Sequence, residues 1–170
     1  MTLMMKFRFK SVVFGLSLLL VMAGAAQADS AALCQAQAGV YLTGIIAKGP
    51  FFVRARHERD GVALSHTKFL VRGDDGQLYD VRADNIYATG YDAAPDNVPA
   101  LLSSLHIGDR LSLCGRVYHS PSGLLGMDWV HINCGAPPRP NAPNGWLALM
   151  DPAMARGPNL EASTEYCHLW

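Results

Sequence analysis

Apolar and polar residues alternate with a period of two over three stretches of the chain, and recur at helical spacing over one. Val40, Leu42, Gly44 and Ile46 fall on one face of an extended segment, with Tyr41, Thr43 and Ile45 on the other. Residues 68–71 continue apolar, Gly73-Asp74-Asp75-Gly76 supplies a turn, and 77–82 resumes. Asp-Gly tolerates the positive φ that tight turns require, so this stretch reads as a hairpin. Leu111, Leu113 and Val117 then alternate with Arg110, Ser112 and Arg116. Ser120-Pro121-Ser122-Gly123 breaks the run, and 127–133 reads as the last strand. The pattern predicts at least five strands joined mainly by turns.

Between the second and third groups, Val98, Leu101, Leu102 and Leu105 recur at helical spacing. Pro99 sits near the first helical position, where its missing N–H costs nothing, and Gly108 is placed to end the helix. Two to three turns are expected, packed on the sheet. After Cys134, the Pro-rich run 135–145 holds no regular element for long. Trp146, Leu147, Leu149 and Met150 then offer an apolar anchor for a tail that Cys167 can tether. Strand, hairpin, short helix, hairpin is the element order of an OB-type barrel. A disulfide-bonded β-sandwich competes, but needs more strands at regular spacing. The expected fold is therefore mainly β: a small OB-like barrel of about five strands with one short helix, plus a disulfide-tethered C-terminal tail. The expected division is 1–28 as signal peptide, 29–135 as barrel, and 136–170 as linker and tail.

The N-terminus supports that division. Lys6, Arg8 and Lys10 precede an apolar run over 12–22, and Ala26-Gln27-Ala28 supplies small residues at −3 and −1. These are the three parts of a secretory signal, and the run is short of the roughly 20 residues needed to span a bilayer. Cleavage after Ala28 and a bacterial periplasmic or secreted location are expected. Cys34, Cys114, Cys134 and Cys167 all lie beyond that point, an even number that reads as two disulfides of undetermined pairing. No Cys-x-x-Cys pair is present, so no metal is expected, nor any cofactor. The chain carries 14 basic and 14 acidic residues. Without the three leader cations the balance is 11 against 14, a net of −3. That argues against a bulk polyanion binder, because counterion release needs a strong excess of Lys and Arg. Any anion site must come from a local patch around His66, Lys68 and the run Arg54, Arg56, His57, Arg59.

Candidate chemistry is sparse. Gly-x-Ser-x-Gly and a Walker loop are both absent. If 127–133 is extended, Trp129 and His131 share a face opposite Val130 and Ile132. An indole beside an imidazole makes a recognition surface. The same face is a docking site for the apolar tail with Trp146. His66 and Lys68 share a face near the start of the hairpin, and Asp84-Asn85 most simply makes a turn through its side chains.

The series His66-x-x-Phe69, Gly76-Gln77-Leu78, Asn85-Ile86, Leu105-x-x-Gly108-Asp109-x-Leu111, Gly115-x-Val117-Tyr118, Trp129-x-His131 and Gly145-Trp146 resembles a family of small exported bacterial proteins of unknown function with an OB-like fold. The resemblance covers about 39–150. The four cysteines are additional to the family pattern, and Asp84 stands where that pattern has a His. It implies a fold and a candidate face, with His66, Asn85 and His131 as the matched polar residues. The leading expectation is an exported OB-like module that binds an unidentified small ligand, oligomer or protein through Trp129, His131, Lys68 and Trp146. The enzyme alternative is a secreted nuclease or phosphodiesterase with His66 and His131 as general base and acid, assisted by Asn85. A third is an inhibitor of another exported protein.

Overall fold

The structure, a computed structural model, describes residues 27–120 and 123–170. The expected signal peptide lies outside them except for Gln27 and Ala28. Those two open a helix, α1 (27–36), which leads into the long strand β1 (Val40–Val53). A small hairpin follows, β2 (Glu58–Arg59) with β3 (Val62–Ala63), then β4 (His66–Gly73) and β5 (Leu78–Asp84). A 3-10 turn at Asn85–Tyr87 and the one-turn helix α2 (Ala100–Ser103) lead to β6 (Arg110–His119), β7 (Leu125–Asp128) and β8 (Trp146–Leu149).

The five strands β1-β4-β5-β7-β6 close into a barrel through pairing of β1 with β6. All barrel contacts are antiparallel except β5 with β7, which is parallel. With α2 placed between β5 and β6, this is the OB order of strands expected from the sequence. Closure depends on β1. Its first half pairs with β6 and its second with β4, with register shifts on either side of Lys48 that bend the strand. Gly44 lies where the two pairings overlap, and a Cβ there would come within 2.4 Å of the Arg72 carbonyl. Only glycine lets the strands approach so closely.

Strand alternation fills the barrel with Leu42, Ile46, Phe69, Val71, Val81, Leu111, Leu113 and Met127, each at most 8 % exposed. Leu102 and Leu105 from the α2 region pack on the same core. A second cluster lies outside the barrel, where Val62, Ile86, Tyr87, Tyr91 and Leu169 bring the small hairpin, the 3-10 turn and the C-terminus together. Disulfides fix both additions. Cys34–Cys114 ties α1 to β6, and Cys134–Cys167 ties the tail to the segment after β7. Two such bonds belong to an oxidising environment of the extracellular type. Among the described residues no helix is long and apolar enough to cross a membrane.

Three sequence expectations change. The helix expected to run two to three turns is the single turn α2. The last strand ends at Asp128, because Trp129 takes φ +55°, outside the extended region, and turns the chain out of the sheet. Trp129 and His131 are therefore not alternating strand residues. The chain also re-enters the sheet. β8 pairs with Leu111–Cys114 of β6, beside the part of β6 that pairs with β7. Residues 146–149, expected as tail, extend the barrel sheet.

Candidate functional site

The register of the β4–β5 hairpin sets His66 directly opposite Asp84. On that face the His66 Nε2 lies 2.9 Å from Asp84 Oδ1. The second oxygen is taken as well: His131 Nε2 lies 3.0 Å from Asp84 Oδ2. One carboxylate thus joins two imidazoles that are 65 positions apart in sequence.

His131 reaches Asp84 because the irregular segment after β7 is pinned. Gly145 N–H donates to the His131 carbonyl (2.7 Å), and Ile132 N–H donates to that of Glu161 (3.2 Å). A Cβ on Gly145 would stand 2.2 Å from the Trp129 carbonyl, so the late Gly-Trp of the sequence is a packing requirement. The His131 ring stacks on Tyr87 at 3.9 Å between centroids and on Trp129 at 5.0 Å. Its Nδ1 faces the Ile132 carbonyl at 2.5 Å. Both ring nitrogens therefore face oxygen atoms of the protein. With 2 % exposure, His131 offers no free ring nitrogen to a ligand.

Burial would raise the Asp84 pKa, but hydrogen bonds from His131 and His66, with their charges, hold it well below the ordinary carboxylate range. Asp84 is an anion at neutral pH. Glu161, fully buried nearby, behaves oppositely. Burial first, and then the Asp84 charge, push its pKa well above the usual value, and the Asp84 backbone N–H offsets only part of that. Neither Glu161 carboxyl oxygen makes a hydrogen bond of good geometry. Burial likewise raises the Tyr87 hydroxyl, and the Asp84 charge adds to it.

A pH prediction follows from Glu161. Its folded pKa lies above its unfolded value near 4.3. The unfolded chain therefore ionises first as pH rises, and stability is lost from about pH 4.5 upward until the folded value is passed. Glu161→Gln keeps the shape and removes the charge. It should leave the melting temperature at pH 4.5 little changed and raise it at pH 8 by several degrees, since each 1 kcal/mol is worth about 3–5 °C here. Melting curves across that range check this, and an equal shift at both pH values would contradict it.

The other expected site residues separate. Asn85 is fully buried and holds the turn together, accepting from Thr67 Oγ1 (2.5 Å) and donating to Ser65 Oγ (2.9 Å). Lys68 is paired with the buried Asp80 at 3.0 Å, and points its charge there. Trp146 lies on the far side of β6, against Tyr41 and the Cys34–Cys114 bond, with its Nε1–H on Ser112. It is not brought to His131. Glu161, bonded to Ile132, and Cys167, bonded to Cys134, bring the tail alongside the His131 segment instead.

Two clefts open on either side of His66, Arg82 and Asp84. The larger, about 430 Å³, is bordered by Arg54, Arg56 and His57 from the loop after β1, and by Trp170. The smaller, about 280 Å³, adds Tyr118, Asp128 and Trp129. Together they border the paired ends of β4 and β5, where His66, Arg82 and Asp84 lie. Compared with family models, curated proteins and solved structures, the chain matches none. The site has to be interpreted from its chemistry. Among the described residues Arg54 and Arg56 have no acidic partner, Asp84 is held by two histidines, and Asp128 is held by Arg116 through two bonds of 2.9 and 2.6 Å. With Arg54, Arg56 and Arg82 against Asp84, the larger cleft carries more basic than acidic side chains, in a chain whose formal net charge is zero.

Sequence reasoning missed Asp84 and Glu161. Asp84 had a signal in the hairpin register, and Glu161 had none, because nothing local distinguishes it in the tail.

Proposed function

We propose that the protein is an exported OB-like binding module whose ligand is anionic and sits in the cleft of Arg54, Arg56, His66 and Arg82. The carrying observation is the pair of guanidinium groups without acidic partners among the described residues, beside an Asp84 whose two oxygens are already held by His66 and His131. Anions bind best where cations are not already satisfied by protein carboxylates. The resemblance to small exported OB-like proteins agrees with this reading. So do a signal peptide ending at Ala28 and release into the periplasm or medium of a bacterium, where the disulfides would form. Trp129 stays at the edge of the binding face, while His131 supports it from beneath.

Titration calorimetry with inorganic pyrophosphate tests the reading. The wild-type protein should bind, and Arg54→Ala with Arg56→Ala should weaken binding at least tenfold, since each charge-assisted hydrogen bond is worth about 1.5–3 kcal/mol. Equal affinities would remove it.

One feature favours the hydrolytic alternative. Asp84 takes the Nε2 of His66 and leaves its Nδ1 without a protein partner among the described residues, as in a carboxylate-oriented general base. His131 cannot be the matching acid, because both its nitrogens are occupied. Cleavage of RNA or DNA by the purified protein in chelator, lost in His66→Ala, would establish that alternative.

A further inference from the structure

Resting on the binding reading above, we infer that the ligand is a nucleotide, free or as a short single strand, with its phosphate in the larger cleft and its base in the smaller one. The two clefts share His66, Arg82 and Asp84 as a common wall, so one molecule can occupy both. Their linings differ in chemistry. The larger has the Arg54 and Arg56 guanidiniums, which suit a phosphate. The smaller has the Trp129 and Tyr118 rings, which suit a planar group.

Two observations at the smaller cleft point to a ligand rather than to packing. Among the described residues the buried Tyr118 hydroxyl makes no hydrogen bond, and the buried Arg82 Nε makes none either, with only an ion pair to Asp80 Oδ1 at 3.7 Å. Buried polar atoms are nearly always paired, so the pair marks a place where a polar edge is missing. A purely apolar ring would leave them unsatisfied, whereas a nucleobase presents donors and acceptors on its rim. The second observation is Trp129 itself. A bulky aromatic at φ +55° is a backbone outlier, and such strain collects at ligand sites. It sets the indole beside His131, half-buried, at the border of the cleft. Asp128 in the same lining is already bound by Arg116, so it does not repel the ligand's charge.

The test compares adenosine 5′-monophosphate, ribose 5-phosphate, adenosine and a tetrathymidylate by calorimetry on the purified protein. Stacking on an aromatic ring is worth about 1–3 kcal/mol per base, or roughly 5- to 150-fold. Adenosine 5′-monophosphate should therefore bind at least fivefold more tightly than ribose 5-phosphate. Trp129→Ala should abolish that preference while leaving ribose 5-phosphate binding unchanged, and Trp129→Phe should keep most of it. The wild-type preference alone remains decisive if the Ala variant does not fold. Tighter binding of the tetrathymidylate than of the mononucleotide would assign the site to single strands, and the reverse to free nucleotides. Equal affinity for the two monophosphates would overturn the nucleotide inference while leaving anion binding intact. Failure of every phosphorylated probe to bind would overturn both.

Discussion

Replacing Asp84 with Asn should destabilise the protein by about 2–4 kcal/mol at pH 7, measured by denaturant unfolding. A hydrogen bond to a charged group is worth about 1.5–3 kcal/mol, and its loss leaves the partner unsatisfied. Here the loss affects two partners, His66 at 2.9 Å and His131 at 3.0 Å. The upper end is trimmed because the Asp84 side chain is 28 % exposed and partly screened. His131, which is 2 % exposed, would then face a neutral amide and has no solvent to turn to. The pH dependence has a definite sign. The Asp84 pKa is depressed in the folded state, so its contribution is present above the unfolded value near 3.9 and is lost as pH falls through the folded value. The gap between wild type and variant should stay open from about pH 4.5 to 7 and shrink in stronger acid. A loss below about 1 kcal/mol at pH 7 would mean that the carboxylate does not organise the two rings.

The disulfides should rank by the length of chain they close. Cys34–Cys114 spans 80 residues and Cys134–Cys167 spans 33. On the chain-entropy account, removing the first by paired Cys→Ala substitution costs about 4–5 kcal/mol and the second about 3–4. The first pair also packs with Trp146 and Ala148 on the outside of β6, so its loss loosens α1 and β8 together. The second acts nearer the site. It holds the tail against the segment that carries His131, and its removal should increase hydrogen exchange at 130–134 and 159–163 before the barrel strands respond. Chemical denaturation gives the ranking. A larger effect from the 33-residue loop would show that tail docking outweighs loop closure.

The barrel was legible because its strands obey a simple rule. Leu42, Gly44 and Ile46 alternate inward as written, and Gly73-Asp74-Asp75-Gly76 marks the hairpin tip. The end of β7 was not legible. Val130 and Ile132 continue the alternation, but the close approach of Gly145 to the Trp129 carbonyl leaves no room for an extended strand, and that contact is long-range. β8 was hidden for a related reason: its short apolar run after a Pro-rich segment reads equally well as a docked tail. At the site, His66 and His131 were visible as residue types, but the group that unites them was taken for a turn former. His66 and Asp84 stand at equal distances from Asp75, so the hairpin register alone places them opposite each other. Glu161 could not be found this way, since its burial depends on how the tail docks.

The proposed binding activity requires that an anion enter the cleft of Arg54, Arg56, His66 and Arg82. The most direct measurement is amide NMR of the labelled protein during titration with inorganic pyrophosphate. Saturable shifts concentrated at residues 54–57, 64–66 and 82–84 are predicted, with little change at the β6–β8 side around 146–149. Shifts absent at saturating pyrophosphate, or confined to the β6–β8 side, would contradict the account.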